Sequence, residues 1–198
     1  MRMEIRRPQP SQPIPPHGKR VFQGMMFDVY QWEQEMYDGT MAVFEKLKRP
    51  DTVVVFPVLP DGRILLIEQE QPGGFGPFIS APGGRIDAGE DPLTAAKREL
   101  LEESGYEAEQ YELWDARQPV NKIDWVVFTF IAKGLKQVAD LHLDAGEKIT
   151  PKPVSFDEFL EITVTERFSE KEVLLKLVEA RLSAAKYEDL RKLFSPAE

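Results

Sequence analysis

Residues 84–106 read GRIDAGEDPLTAAKRELLEESGY, and within them 92–104 read as a helix whose two faces ask for different surroundings. Asp91 is a natural N-cap, Pro92 suits the first helical position, and Gly105 suits the C-terminal stop. Leu93, Ala96 and Leu100 recur at spacings of three and four, so one face is apolar and core-directed. On another face Glu99, Glu102 and Glu103 stand at i, i+3 and i+4, which clusters their carboxylates within one turn. Three like charges that close raise one another's pKa unless something neutralises them. Two answers exist: bulk water on a solvated face, or a hard divalent cation, and magnesium takes oxygen ligands while sharing a substrate's phosphates.

On the N-terminal side the pattern is strand-like. VFQGMMFDVYQW and TMAVFEKL flank Tyr37-Asp38-Gly39, where the Asp-Gly pair signals a hairpin. TVVVFPVL and RILLIEQE flank Pro60-Asp61-Gly62, a second hairpin by the same reasoning. Gln71–Phe78, with Gly73, Gly74, Gly76 and two prolines, is a loop, and it lacks the GK[ST] ending of a phosphate-cradling P-loop. Beyond the helix, Tyr111–Asp115 and Trp125–Ala132 read as strands. Ser155 with Glu158 forms a capping box for a second helix, and Ser169 with Glu172 opens a third whose stripe is Leu174, Leu177, Val178 and Leu182. This mixture predicts an α/β (α+β) fold: a mixed sheet with helices on its faces. Residues 1–20 hold five prolines and a net charge of +4, so they form an extended arm, either floppy or lying on a partner subunit.

The composition excludes several classes. Of 198 residues none is cysteine, which removes disulfides, thiolate zinc sites and a cysteine nucleophile. Two histidines, His17 and His142, do not supply a multi-histidine centre. A net charge of −9 argues against a nucleic-acid track or an anionic membrane surface. The longest apolar runs, Thr52–Leu59 and Trp125–Ala132, are strand-sized, and the basic N-terminus has no apolar signal region. A soluble cytoplasmic protein is expected.

In register, Gly84, five residues, Glu90, seven residues, Arg98-Glu99-Leu100, one residue, Glu102-Glu103, one residue, and Gly105-Tyr106 match the Nudix box G-x5-E-x7-R-E-U-x-E-E-x-G-U, where U is bulky and apolar. The chain therefore resembles the Nudix hydrolases, and from about Val21 to Ile162 it is similar to their ADP-ribose pyrophosphatase and nucleoside-diphosphate-sugar branch. The resemblance implies an α/β/α sandwich preceded by a small N-terminal antiparallel sheet. It divides the chain into an arm (1–20), a sheet extension that pairs two subunits into a homodimer (21–48), and a catalytic unit with a C-terminal helix (49–198). It also implies magnesium, replaceable by manganese, and water attack on the diphosphate of a nucleoside diphosphate linked to a group X.

By the same resemblance the Gly83 carbonyl, Glu102 and Glu103 are metal ligands, and Glu99 is a ligand or the general base. Arg98 holds the acidic side chains by bidentate pairing. Glu90 braces loop to helix, and Gly84 and Gly105 serve the backbone. A late-loop glutamate activates water in this branch, and HLDAGEKI puts Glu147 there. Phe27, Tyr30 and Trp32 are candidates to stack on the base. The branch's Q-x-R-P is here Gln69-Glu70-Gln71-Pro72, so Gln71 stands where a substrate-reaching arginine is expected, and Arg117 or Lys122 could supply the missing cation. Alternatives are a nucleotide-sensing domain without turnover, or hydrolysis of dinucleoside polyphosphates, NADH or capped RNA. The isomerases that share the fold need a cysteine that this chain lacks.

Overall fold

The computed structural model describes residues 5–74, 76–140 and 148–197. Strands β1 (Lys19–Gln23), β2 (Asp28–Glu35) and β3 (Met41–Lys48) form an antiparallel N-terminal sheet. β2 and β3 are joined through Met36–Thr40, where Gly39 takes the φ of +82° that the turn requires. Next come β4 (Thr52–Pro57), β5 (Ile64–Glu70), β6 (Phe78–Ser80) and β7 (Gly83–Arg85), then helix α1 (Pro92–Ser104). They are followed by β8 (Tyr106–Arg117), β9 (Ile123–Asp124), β10 (Val127–Gln137) and β11 (Lys148–Val154). Helices α2 (Phe156–Ile162), α3 (Leu174–Leu182) and α4 (Ala184–Leu193) complete the chain.

Among the described residues three sheets form, ordered β1-β2-β3-β9, β7-β4-β10-β8 and β11-β5-β6. The second is mixed, with β4 and β10 parallel and its other pairs antiparallel. β4 explains the layering. Val53 and Val55 point into a core with Ala95, Ala96 and Leu100 of α1, whereas Val54, Phe56 and Val58 point into a second core with Phe159, Leu177, Leu190 and Phe194 from the C-terminal helices. A strand buried on both faces has to be a continuous apolar run, which is how TVVVFPVL reads. The result is the α/β/α sandwich.

α1 begins and ends as its sequence predicts. Asp91 accepts from the backbone of Leu93 and Thr94 at 3.0 and 3.1 Å, and Gly105 sits at φ +73° with its N–H bonded to Leu101 O at 2.8 Å. Ser155 and Glu158 form both halves of the capping box on α2.

Three expectations change. The second hairpin is not a ladder: only Val58 bridges Ile64, because Gly83-Gly84-Arg85 and β10 already occupy both edges of β4, so β5 starts the third sheet. The third helix begins at Leu174 rather than after Ser169. Ser169 donates its N–H and hydroxyl to Ile79 O and its hydroxyl to Glu170, so a short 3-10 turn, Lys171–Val173, intervenes. The buried stripe is accordingly Val173, Leu177 and Ala180, with Leu182 82% exposed.

The arm, finally, straps onto its own subunit. Arg7 pairs with both Asp51 oxygens at 2.7 and 3.0 Å and with Asp124 at 2.8 Å, and the buried Lys46 donates to Gln12 O. Its prolines keep the backbone extended, while these charges fix where it lies.

Candidate active site

The paired Gly83 and Gly84 bring strand β7 against the acidic face of α1. An ideal Cβ on Gly83 would fall 2.3 Å from Val53 O, so only glycine lets β7 lie this close to β4. On Gly84 it would fall 2.3 Å from Glu99 Oε1 and 2.7 Å from Oε2, so the Glu99 carboxylate occupies the space that a side chain would take. The Gly83 N–H donates to Glu103 Oε2 at 2.8 Å. Glu99 and Glu103 are buried, at 9% and 7% exposure.

Arg98 organises the acids. Its Nη1 donates to Glu99 Oε1 at 2.8 Å and Glu102 Oε2 at 3.0 Å. Its Nε and Nη2 clasp Glu90 at 3.2 and 3.1 Å, and Nη2 also reaches Arg85 O at 2.9 Å. The Arg98 pair holds the Glu90 carboxyl below its ordinary value, and the acids raise the guanidinium further above its own. Glu90 also accepts from the Asp87 N–H at 3.1 Å, tying the entry loop to the helix, which is the bracing geometry.

These groups face a cavity of about 630 Å³ lined by Met26, Gln69, Gln71, Gly83, Gly84, Arg85, Asp87, Arg98, Glu99, Glu102 and Glu103. Among the described residues no three acidic or imidazole groups enclose an ion as they stand. The donor set nevertheless fits one: oxygen-only carboxylates on adjacent turns, with a glycine seat cut to one of them, suit a hard cation that keeps several of its own waters.

NUDIX domains match residues 48–184. The chain belongs to the Nudix family. It is 30% identical over 165 residues to the ADP-ribose pyrophosphatase of Bacillus subtilis (strain 168), covering 82% of this chain and 81% of that one. It is 27% identical over 169 residues to the methanol dehydrogenase activator of Bacillus methanolicus, covering 84% of this chain and 91% of the relative. Among solved structures it superposes on an ADP compounds hydrolase with a TM-score of 0.68 at 21% identity, over 93% of this chain and 98% of that chain, a likeness of fold. It is a Nudix hydrolase, and residues 84–106 are its Nudix box.

The structure brings together Gly83, Gly84, Glu90, Arg98, Glu99, Glu102 and Glu103, with Gly105 closing the helix that carries them. Gln71 lines the same cavity, its side chain 3.5 Å from Gln69 Oε1. Three expected substrate contacts, Trp32, Arg117 and Phe27, are not among the residues that line it. Trp32 is buried against Phe44, with its indole N–H given to Gln34, because the N-terminal sheet needs it as core. Arg117 is ion-paired with Asp115, which also binds Lys176, and is not among the residues lining the cavity. Phe27 packs its ring 5.6 Å from the Arg49 guanidinium. Glu147 lies outside the described residues. Sequence reasoning missed Arg85, Gln69 and Met26 as lining residues; Arg85 could have been found from its place within the box.

Proposed function

We propose that this Nudix hydrolase cleaves, with magnesium, the diphosphate linkage of a nucleoside diphosphate linked to X, with ADP-ribose or an ADP- or NDP-sugar as substrate. The products are a nucleoside monophosphate and phosphorylated X. The observation that carries the reading is the seating of the Glu99 carboxylate on Gly84 beside Glu102 and Glu103, in a cavity large enough for part of a nucleotide. Similarity to a Bacillus subtilis ADP-ribose pyrophosphatase over most of both chains supports the substrate class.

In this reading the Gly83 carbonyl, Glu99, Glu102 and Glu103 would hold the cation, magnesium or manganese in its place, which when bound would neutralise charge on the diphosphate. Arg98 keeps the carboxylates oriented, so that little reorganisation is needed at the moment of reaction. Glu99 or Glu147 takes the proton from the attacking water. Two copies pair through residues 21–48. The exposed Phe22, Met25, Tyr37, Met41 and Val43 on that sheet and its turns favour such burial.

Mass spectrometry of ADP-ribose incubated with the protein tests the reading. AMP and ribose 5-phosphate should form in magnesium and not in chelator. Tight binding of a nucleotide with no turnover of any diphosphate compound would instead make it a sensor.

A further inference from the structure

The turn between β6 and β7 is held at several points. The Gly83 N–H donates to Glu103 on α1, and Pro82 O accepts from the Val55 N–H at 2.8 Å. A third hold comes from residues 167–170, which run beside β6. The Ile79 N–H bonds Arg167 O at 2.8 Å, the Ser169 N–H returns to Ile79 O at 2.9 Å, and Ile79 bridges Phe168 in parallel. Phe168 and Val173 belong to the core with Phe56 and Leu177, on the face of the sheet away from α1. Between them in the chain stands Glu170, 7% exposed and not among the residues lining the carboxylate cavity.

Glu170 accepts from the Ser169 hydroxyl at Oε1, at 2.7 Å, and its carboxyl also receives the main-chain N–H of Ala81. Its Oε2 is buried without a hydrogen-bond partner among the described residues. Burial first, and then the nearby Glu172, push this carboxyl up to about 8 against those donors, so at neutral pH it is a neutral acid.

An acid is costly in that position. Phe168 and Val173 are fully buried, and an apolar side chain of similar volume would fill the place without leaving a polar atom unpaired. What an apolar side chain cannot do is hold a main-chain N–H. Ala81 lies two residues before Gly83, whose carbonyl is a metal ligand in the reading above. A segment that ends in two glycines has wide backbone freedom, so its neighbours must fix it. Glu103 does so from α1, and Glu170 does so from the segment that follows α2.

We propose that Glu170 is a positioning residue for the hydrolysis: through Ala81 it fixes the β6–β7 turn, so that Gly83 presents its backbone to the metal beside Glu99 and Glu103. This rests on the metal-site reading above. Glu170 acts from outside the cavity, through the main chain.

Glu170→Met and Glu170→Gln, compared with wild type in three measurements, test it: hydrogen exchange of the metal-free peptide spanning residues 79–85, calorimetric titration with manganese, and steady-state kinetics on ADP-ribose in magnesium. Methionine approximates the volume and removes both oxygens, whereas glutamine keeps an acceptor for Ser169 and Ala81. Methionine should speed exchange of the 79–85 amides about tenfold, weaken manganese binding about tenfold and lower kcat about tenfold, with KM for ADP-ribose within about threefold. Glutamine should recover most of each loss. A folded Glu170→Met protein with wild-type manganese affinity and kcat would overturn the proposal, even if its Tm were lower, because the acid would then serve stability alone. Losses that glutamine does not recover would overturn it too. If the methionine variant does not fold, Glu170→Asp decides: it withdraws the carboxyl by one methylene, and unchanged exchange, manganese affinity and kcat would overturn the proposal equally. If the wild-type protein turns over no ADP-ribose, the substrate reading fails by itself, and exchange and manganese binding still decide the role of Glu170.

Discussion

Replacing Gly84 by alanine places a methyl group where the Glu99 carboxylate now sits. The new Cβ would lie 2.3 Å from Oε1, 2.5 Å from Cδ and 2.7 Å from Oε2, whereas ordinary contact begins at 3.4 Å. The carboxylate must therefore retreat by about 1 Å, and a misplacement of that size at a reacting centre costs on the order of 100-fold in rate. The cost to folding should be small. What moves is the end of a side chain, Gly84 has no positive φ to strain, and alanine restricts the unfolded chain, so the net change should stay within about 1 kcal/mol. Gly83→Ala is the control. Its Cβ would meet main chain, Val53 O at 2.3 Å and Val54 Cα at 3.0 Å, so the β4–β7 pairing itself has to open. A loss of about 2–3 kcal/mol is expected there, or roughly 5–10 °C in Tm. Thermal unfolding and turnover of ADP-ribose, measured on both variants, separate the two effects. A Gly84→Ala protein with kcat within threefold of wild type, or one that unfolds as readily as Gly83→Ala, would refute the idea that Gly84 is the seat of a catalytic carboxylate.

Three further outcomes are expected. Glu103→Gln should lower magnesium-dependent turnover by roughly two orders of magnitude or more, with Tm unchanged or higher because like charges are relieved; near-normal turnover would remove Glu103 from the metal site. Arg7→Ala, which releases Asp51 and Asp124, should cost about 1–2 kcal/mol, and an unchanged Tm would show that the strap contributes nothing to stability. Burial pushes the Glu170 carboxyl from 4.5 up to about 8, with Ser169 as its side-chain partner among the described residues. The folded value lies above the unfolded one, so its contribution is full below pH 4.5 and is lost as the pH rises through about 8. Wild-type Tm should fall across that window and Glu170→Gln should flatten the fall; identical slopes in the two proteins would count against it.

The sequence by itself determined the ends of α1 and α2 and the acidic face of α1, which rest on local chemistry. Asp91, Pro92 and Gly105 fix the ends of α1, and the i, i+3, i+4 spacing puts Glu99, Glu102 and Glu103 on one face whatever surrounds them. Ser155 and Glu158 likewise cap α2 with groups three residues apart. The family followed from the same 23 residues, because their spacing is the family's signature.

Tertiary structure alone decided which edges and which charges are already occupied. β4 and β5 look like a hairpin, yet the edges of β4 are filled by β7 and β10 from elsewhere in the chain. Ser169 looks like a helix cap, yet its hydroxyl is used by Ile79 and Glu170. Arg117, Lys122 and Arg49 are all cations near aromatic or acidic residues in the sequence. Among the described residues, Arg49 lies 4.7 Å from the Trp125 ring and 5.6 Å from that of Phe27 with its Nε unsatisfied, while Arg7, 42 residues upstream, pairs with Asp51 and Asp124. A hydrogen bond or ion pair saturates its partners, and which partner arrives first is a property of the fold, not of neighbours in sequence.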